Sequence, residues 1–155
     1  NKIIGRYDGS ISTDDADPNN DMPVFDPSFL LIQGAFGTCI NDYLRSELGY
    51  KNDLQYKILS DVSPWKFSNG KYLNVSDQLR SALFQNTSMK VWMANGYYDL
   101  ATVYMGTKYA INHLNLPTDL NRNIISTYYP SGHMMYLHKS SLVKLKDDAA
   151  LFFKK

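Results

Sequence analysis

Only one cysteine, Cys39, stands among the 155 residues, so no disulfide within the chain can staple the fold. One thiol suits an oxidising or a reducing compartment equally and fixes neither. Its surroundings, Gly37-Thr38-Cys39-Ile40, read as a helix start, and a buried structural thiol is expected there. Long apolar runs are missing too. None approaches the ~20 residues needed to cross a bilayer, and no signal-peptide pattern is present, so no membrane span is expected. Charge of one sign is also lacking. The formal net charge is +1, with Lys and Arg scattered, which leaves no basic stripe for a nucleic acid. Metal-ligand spacing is absent as well. His113, His133 and His138 form neither a His-x-x-x-His pair nor a Cys/His cluster. The acidic run from Asp14 to Asp17 lacks the Gly and the distal Glu of an EF-hand loop and reads as solvated loop. No metal and no cofactor is expected.

What is present is the composition of a folded protein. Apolar residues make up 44% and charged residues 20%, which argues against disorder. A chain of this length fits one domain able to bury about 70% of its unfolded surface. Aromatics reach 14%, twelve of them Tyr, whose amphipathic rings suit half-buried packing positions. The chain starts at Asn1 without a methionine and so reads as a mature, processed or excised segment.

Residues 1–28 are rich in Asp, Asn, Gly, Ser and Pro, and irregular loop is expected. Phe29 to Leu48 turns helical, with Ile40, Tyr43, Leu44 and Leu48 at helical spacing and Gly49 placed to end it. A short strand is expected over Tyr56–Leu59, and loop over Asp61–Gly70, which carries Trp65. A helix follows from Asn74, capped by Asn74 or Ser76, with Val75, Leu79, Ala82 and Leu83 on one face. Met89–Ala94 reads as a buried strand ending at Asn95-Gly96. Thr102 is placed to cap the next helix, in which Val103, Tyr109, Ala110 and Leu114 are the apolar positions and which Pro117 ends. Ile124–Tyr129 is a second strand. A last helix begins at Ser140 or Ser141, with Leu142, Leu145, Ala149, Phe152 and Phe153 on its apolar face.

From about residue 71 the order is therefore helix, strand, helix, strand, helix. That alternation predicts an α/β architecture with parallel strands and helices on both faces. It also places Asp99 and His133, each just beyond a strand, at one edge of the sheet, where ligands of open α/β sheets bind. Two strands make a poor sheet, so this half reads as the end of a larger one.

Asp99 followed by His133 is the order in which an α/β-hydrolase supplies the acid and the base of its triad after the nucleophile. Imidazole titrates near pH ~6.5, which suits a proton shuttle. Gly132, beside His133, is expected to let the backbone turn sharply. The nucleophile elbow, Gly-x-Ser-x-Gly, is missing. Gly5 and Gly9 are the only glycines four apart, and Tyr7 lies between them. Ser10 and Ser12 follow no strand, and Ser131 is too close to His133 in sequence.

Asn95-Gly96-Tyr97-Tyr98-Asp99-Leu100-Ala101-Thr102, with Thr127-Tyr128-Tyr129 and Gly132-His133-Met134-Met135-Tyr136, resembles the serine carboxypeptidase family, most closely its bacterial branch. The likeness extends to Gly5-Arg6-Tyr7-Asp8, Asp26-Pro27-Ser28, Asn41-Asp42-Tyr43-Leu44 and Tyr72-Leu73-Asn74-Val75, nearly the whole chain. It implies the C-terminal part of an α/β-hydrolase fold. Residues 1–70 would form a loop-rich, helical, cap-like segment, and residues 71–155 the hydrolase segment. It implies Asp99 as triad acid, His133 as general base and Met134 lining the site near the leaving group. The implied partners are a peptide substrate and the missing N-terminal segment, which would bring the serine and the oxyanion hole. The implied compartment is secreted or periplasmic. Where the family usually carries Pro shortly after the acid, this chain has Val103, which bears on the helix start. Alone, the chain is expected to be inactive and prone to self-association. An esterase or acyltransferase of the same fold, and a non-enzymatic binding module, remain alternatives.

Overall fold

The structure, a computed structural model, describes residues 1–16, 19, 25–59 and 73–154. Trp65, the expected loop at 61–70 and the boundary between residues 70 and 71 lie outside the described residues.

Two strands carry the candidate site. β3 (Val91–Gly96) pairs in parallel with β4 (Ile124–Tyr129), in a register running from Val91↔Ile124 to Gly96↔Tyr129. β4 has the expected bounds. β3 starts two residues later than expected, at Val91, and runs two residues further, through Asn95 and Gly96, because pairing with β4 outweighs the turn preference of Asn-Gly. The buried Asn95 amide donates once within its own strand and once across to β4. Its Nδ2 donates to the carbonyls of Met93 at 3.0 Å and of Thr127, across the strands, at 3.3 Å.

Before β3 comes α2 (Ser76–Gln85), whose Leu83 is fully buried, and whose first turn is helped by Asn74 Oδ1 accepting the Ser76 N–H at 2.9 Å. Between the strands lie α3 (Tyr104–Asn112) and the short α4 (Thr118–Asn121). After β4 a 3-10 turn, Met135–Leu137, leads into α5 (Lys139–Phe153).

The helix α5 is joined to the sheet by a chain of polar groups that passes through the fully buried Tyr129. Trp92 Nε1 donates to Thr127 Oγ1 at 2.8 Å, and that hydroxyl lies 3.0 Å from Tyr129 Oη. Tyr129 donates in turn to Asp148 Oδ2 at 2.7 Å, and Lys144 Nζ donates to the same oxygen at 2.5 Å. Each member satisfies the next, so burying them carries no orphan penalty. Burial first, then the Asp148 carboxylate, pushes the Tyr129 phenol up to about 12, against an opposing hydrogen bond with Thr127. Phe152 closes the joint by stacking on Trp92, centroids 5.9 Å apart. Replacing Tyr129 with Phe strips the hydroxyl from this chain and is expected to cost about 1–2 kcal/mol. Urea unfolding measures it, and a midpoint equal to the parent's would show the chain to be energetically idle.

The N-terminal region departs from expectation. It forms a hairpin, with β1 (Lys2–Ile4) antiparallel to β2 (Ser12–Asp14). The loop between them closes on itself: Gly5 N–H donates to the Ile11 carbonyl at 2.8 Å, and Asp8 Oδ1 accepts the Ser10 N–H at 2.9 Å. Turn-forming residues here shape the loop of a hairpin, and Ile3 and Ile4 supply β-formers that the polar composition masked.

The helix α1 (Pro27–Asp42) starts with Pro27 in its first turn and is capped by Asp26, whose side chain accepts from the N–H groups of Ser28 and Phe29. It runs on as a π-helical turn over Tyr43–Glu47 and stops at Gly49, whose φ of 62° lets Tyr50 N–H reach the Leu44 carbonyl. Cys39 is exposed and lies near the end of this helix, not at its start. The helix buries only Pro27, Ser28 and Ile32, all near its beginning, so its later turns have no core to enter. Cys39 instead lines an open apolar hollow of about 390 Å³ with Phe36, Tyr43 and Ile58. No strand forms at Tyr56–Leu59, because no strand among the described residues offers it a ladder.

Apolar helix faces are left uncovered elsewhere too. None of the residues of α3 is buried, and α5 buries only Ser141, leaving Leu142 46% and Phe153 81% exposed. Among the described residues, no helix is long and apolar enough to cross a membrane.

Candidate active site

The two strands end side by side, and the loops that follow them meet. After β3 the chain turns through Tyr97 and Tyr98 to Asp99. After β4 it turns through Pro130, Ser131 and Gly132 to His133. Close approach of these loops depends on two glycines. A β-carbon on Gly96 would sit 2.2 Å from the Gly132 carbonyl oxygen, and one on Gly132 would sit 2.2 Å from that of Tyr7. Gly132 is thus required by crowding. It is not in the left-handed conformation that a sharp turn would have demanded, since among the described glycines only Gly49 has a positive φ. Backbone bonds complete the junction: Tyr97 N–H donates to the Tyr129 carbonyl and Tyr98 N–H to that of Ser131, both at 3.0 Å.

The result is an acid–base pair. His133 Nδ1 lies 2.8 Å from Asp99 Oδ2, with Asp99 5% exposed and the His133 side chain 44% exposed. Asp99 is surrounded by donors. Its Oδ1 accepts the N–H groups of Ala101 at 2.9 Å and Thr102 at 2.8 Å, and its Oδ2 accepts the Thr102 hydroxyl at 2.6 Å. Burial raises the carboxyl's pKa, but the Thr102 hydroxyl, the Thr102 N–H, the His133 ring and the Ala101 N–H together outweigh it. The net effect holds Asp99 below its ordinary value of 3.8.

An ionised Asp99 can only accept, so His133 Nδ1 carries the hydrogen between them, and whenever the ring holds a single hydrogen Nε2 is left as a bare acceptor. Among the described residues nothing hydrogen-bonds to Nε2. A buried carboxylate that fixes the tautomer of a half-exposed imidazole is the arrangement needed to take a proton from a hydroxyl and return it to a leaving group.

The lowered pKa makes a prediction about acid stability. Asp99 binds its proton more weakly folded than unfolded, so its stabilising contribution is complete above the unfolded value. That contribution is lost as pH falls below about 4 and through the depressed folded value. Asp99→Asn cannot be protonated there and is expected to flatten this part of the acid limb. Urea unfolding between pH 5 and pH 2 reads it, and an unchanged limb would sink the assignment.

Thr102 is the residue that sequence reasoning misplaced. It does not cap α3: Val103 holds the N-cap position and makes no side-chain bond. The Thr102 hydroxyl faces backward instead, onto Asp99 Oδ2 and within 3.1 Å of His133 Nδ1. The signal was local. An Asp followed by free N–H groups two and three residues on makes an Asx-type turn that aims a hydroxyl at the third position back toward the carboxylate.

Met134, the third expected site residue, follows His133 and enters the 3-10 turn. Its side chain lines a cavity of about 380 Å³ with Tyr7, Ser28, Ile32, Ser131 and Leu137, on the side of the loop toward α1. Ser131 is 4% exposed, and its hydroxyl finds no partner among the described residues. On the other flank Tyr97, Tyr104 and Tyr128 cluster: Tyr97 stacks on Tyr128 at 5.6 Å, and Tyr104 meets both edge-on. No group of three or more His, Cys, Asp or Glu side chains fit to hold a metal ion occurs among the described residues. Set against known protein families, curated proteins and solved structures, the chain matches none of them.

Proposed function

We propose that the chain is the C-terminal part of a serine-type carboxypeptidase of the α/β-hydrolase fold, contributing the triad's acid and base. The observation that carries this reading is the 2.8 Å pair of a buried Asp99 and a half-exposed His133, delivered by the ends of two adjacent parallel strands.

In the reaction, His133 Nε2 takes the proton of a serine hydroxyl as it attacks the terminal peptide carbonyl, and passes it to the departing amino group. A water then repeats the sequence on the acyl-enzyme. Asp99 stays ionised throughout, holding the ring and stabilising its cationic form. The serine and the oxyanion hole, which supply much of the transition-state stabilisation, belong to a segment outside these residues. Isolated, the chain is inactive on this reading. The uncovered faces of α3 and α5 support a missing layer of structure, and they make self-association of the isolated chain expected. A secreted or periplasmic setting is part of the same proposal.

The test is reconstitution. Joined to an upstream segment with Gly-x-Ser-x-Gly after a strand, the chain is expected to hydrolyse blocked dipeptides. Ester turnover without peptide turnover would move the reading to an esterase or acyltransferase, since specificity resides in the missing part. A compact, stable monomer in sedimentation, with no response to that segment, would favour a binding module.

A further inference from the structure

The loop between β1 and β2 belongs to neither of the two strand-end loops, yet it is bonded to both. On the Asp99 side, Leu100 N–H donates to the Arg6 carbonyl at 3.0 Å, and Gly9 N–H donates to the Tyr98 carbonyl at 2.8 Å. On the His133 side, His133 N–H donates to the Tyr7 carbonyl at 2.7 Å, and Gly132 N–H donates to Asp8 Oδ2 at 2.9 Å. The Tyr7 ring also lies 5.7 Å from the His133 ring. The loop is itself anchored. Asp26, the cap of α1, accepts the Arg6 N–H at 3.0 Å, and Ser28 Oγ accepts that of Tyr7 at 3.1 Å.

The geometry points to Asp8 as a positioning residue for His133: it clamps the Gly132–His133 backbone to a strap, residues 6–9, that also holds the Asp99 loop. Of the strap's bonds to the two loops, the one from Asp8 is the only one made by a side chain, so it is the one that substitution can remove. Its other oxygen is committed to Ser10, through N–H at 2.9 Å and hydroxyl at 2.5 Å, which fixes the carboxylate's direction before Gly132 arrives. Loss of the clamp frees His133 to drift relative to Asp99, and a misplacement of about 1 Å in a reacting group costs on the order of 10²-fold. The catalytic consequence rests on the hydrolase reading; the positional one does not.

The experiment separates them. In the 155-residue chain, Asp8→Ala is expected to speed solvent exchange of the Gly132 amide and of the His133 Nδ1 hydrogen at least tenfold by NMR. Ser10→Ala, which touches only the other oxygen, leaves both nearly unchanged. Exchange rates in Asp8→Ala equal to the parent's overturn the inference. If Asp8→Ala does not fold, Asp8→Leu takes its place, because it keeps side-chain bulk and offers no acceptor to the Gly132 N–H. A rise of about tenfold supports the clamp and no change overturns it. In an intact hydrolase already shown to need His133, Asp8→Ala is expected to lower kcat about 10²-fold with KM little altered, and an unchanged kcat overturns the positioning role. Full activity in His133→Ala would instead sink the triad while leaving the exchange result standing.

Discussion

Replacing His133 with Ala in the assembled hydrolase is expected to lower kcat by on the order of 10⁶-fold, the scale at which loss of a triad histidine disables a serine nucleophile. The magnitude follows from how the members depend on one another. Without Nε2 the serine keeps its proton, and Asp99, 5% exposed and already accepting four hydrogen bonds, has no geometry from which to replace it. KM should move little, as expected for a group whose interactions count chiefly in the transition state. Single-turnover kinetics on a blocked dipeptide give the clean measurement. A His133→Ala enzyme within tenfold of the parent rate would remove His133 from the reaction, and with it the carboxypeptidase reading. Asp99→Asn belongs to the same series and should be milder, about 10⁴-fold, because it leaves the base in place but in the wrong tautomer.

Gly132→Ala is expected to have the largest effect on stability, at least about 3 kcal/mol, the upper end of what overpacking costs. The added β-carbon would meet the Tyr7 carbonyl oxygen at 2.2 Å and the Asp8 β-carbon at 2.5 Å, atoms that cannot swing aside as a long side chain would. Gly96→Ala should behave alike, because its β-carbon would fall 2.2 Å from the Gly132 carbonyl oxygen. The contrast is Gly34, inside α1, where an added β-carbon meets nothing within 4 Å. Gly34→Ala should be neutral or stabilising by up to about 1 kcal/mol, through helix propensity alone. Urea midpoints of the three variants test the set. If Gly132→Ala is as stable as Gly34→Ala, the strand-end loops do not pack as described.

Sequence periodicity was a reliable guide where one element dictates its own form. Ile124–Tyr129 is a run of β-formers with turn residues on either side, and its bounds were readable to the residue. Asp99 and His133 were readable for the same reason, since position after a strand is a local property. What escaped was set by contacts distant in sequence. Nothing near Tyr56–Leu59 tells that the run lacks a partner strand among the described residues, and nothing near Asn95-Gly96 tells that β4 will extend β3 through a turn-forming pair. Thr102 looked like a helix cap because caps and Asx turns use the same residues. In sequence Gly132 suggests conformational freedom, while its actual constraint is Tyr7 and Asp8, more than a hundred residues earlier. A buried Cys39 is the expectation from thiol chemistry alone, and it presumes a core that this end of α1 does not reach.

The clamp from Asp8 to Gly132 joins residues 124 apart in sequence, and this separation sets the order in which the protein comes together. Closing a loop of that length costs about 4 kcal/mol of chain entropy, whereas the β3–β4 ladder, α3 and α5 need only neighbouring segments. Those nearer elements have every reason to form first. The hairpin loop then docks onto strand ends that already stand side by side, and only at that moment is the imidazole held against its carboxylate. Synthesis from the N-terminus gives the same sequence of events: the strap leaves the ribosome early and meets Asp26 and Ser28 first, but its bonds to Gly132 and His133 wait until residue 133 has followed. The acid–base pair is therefore among the last things this chain builds.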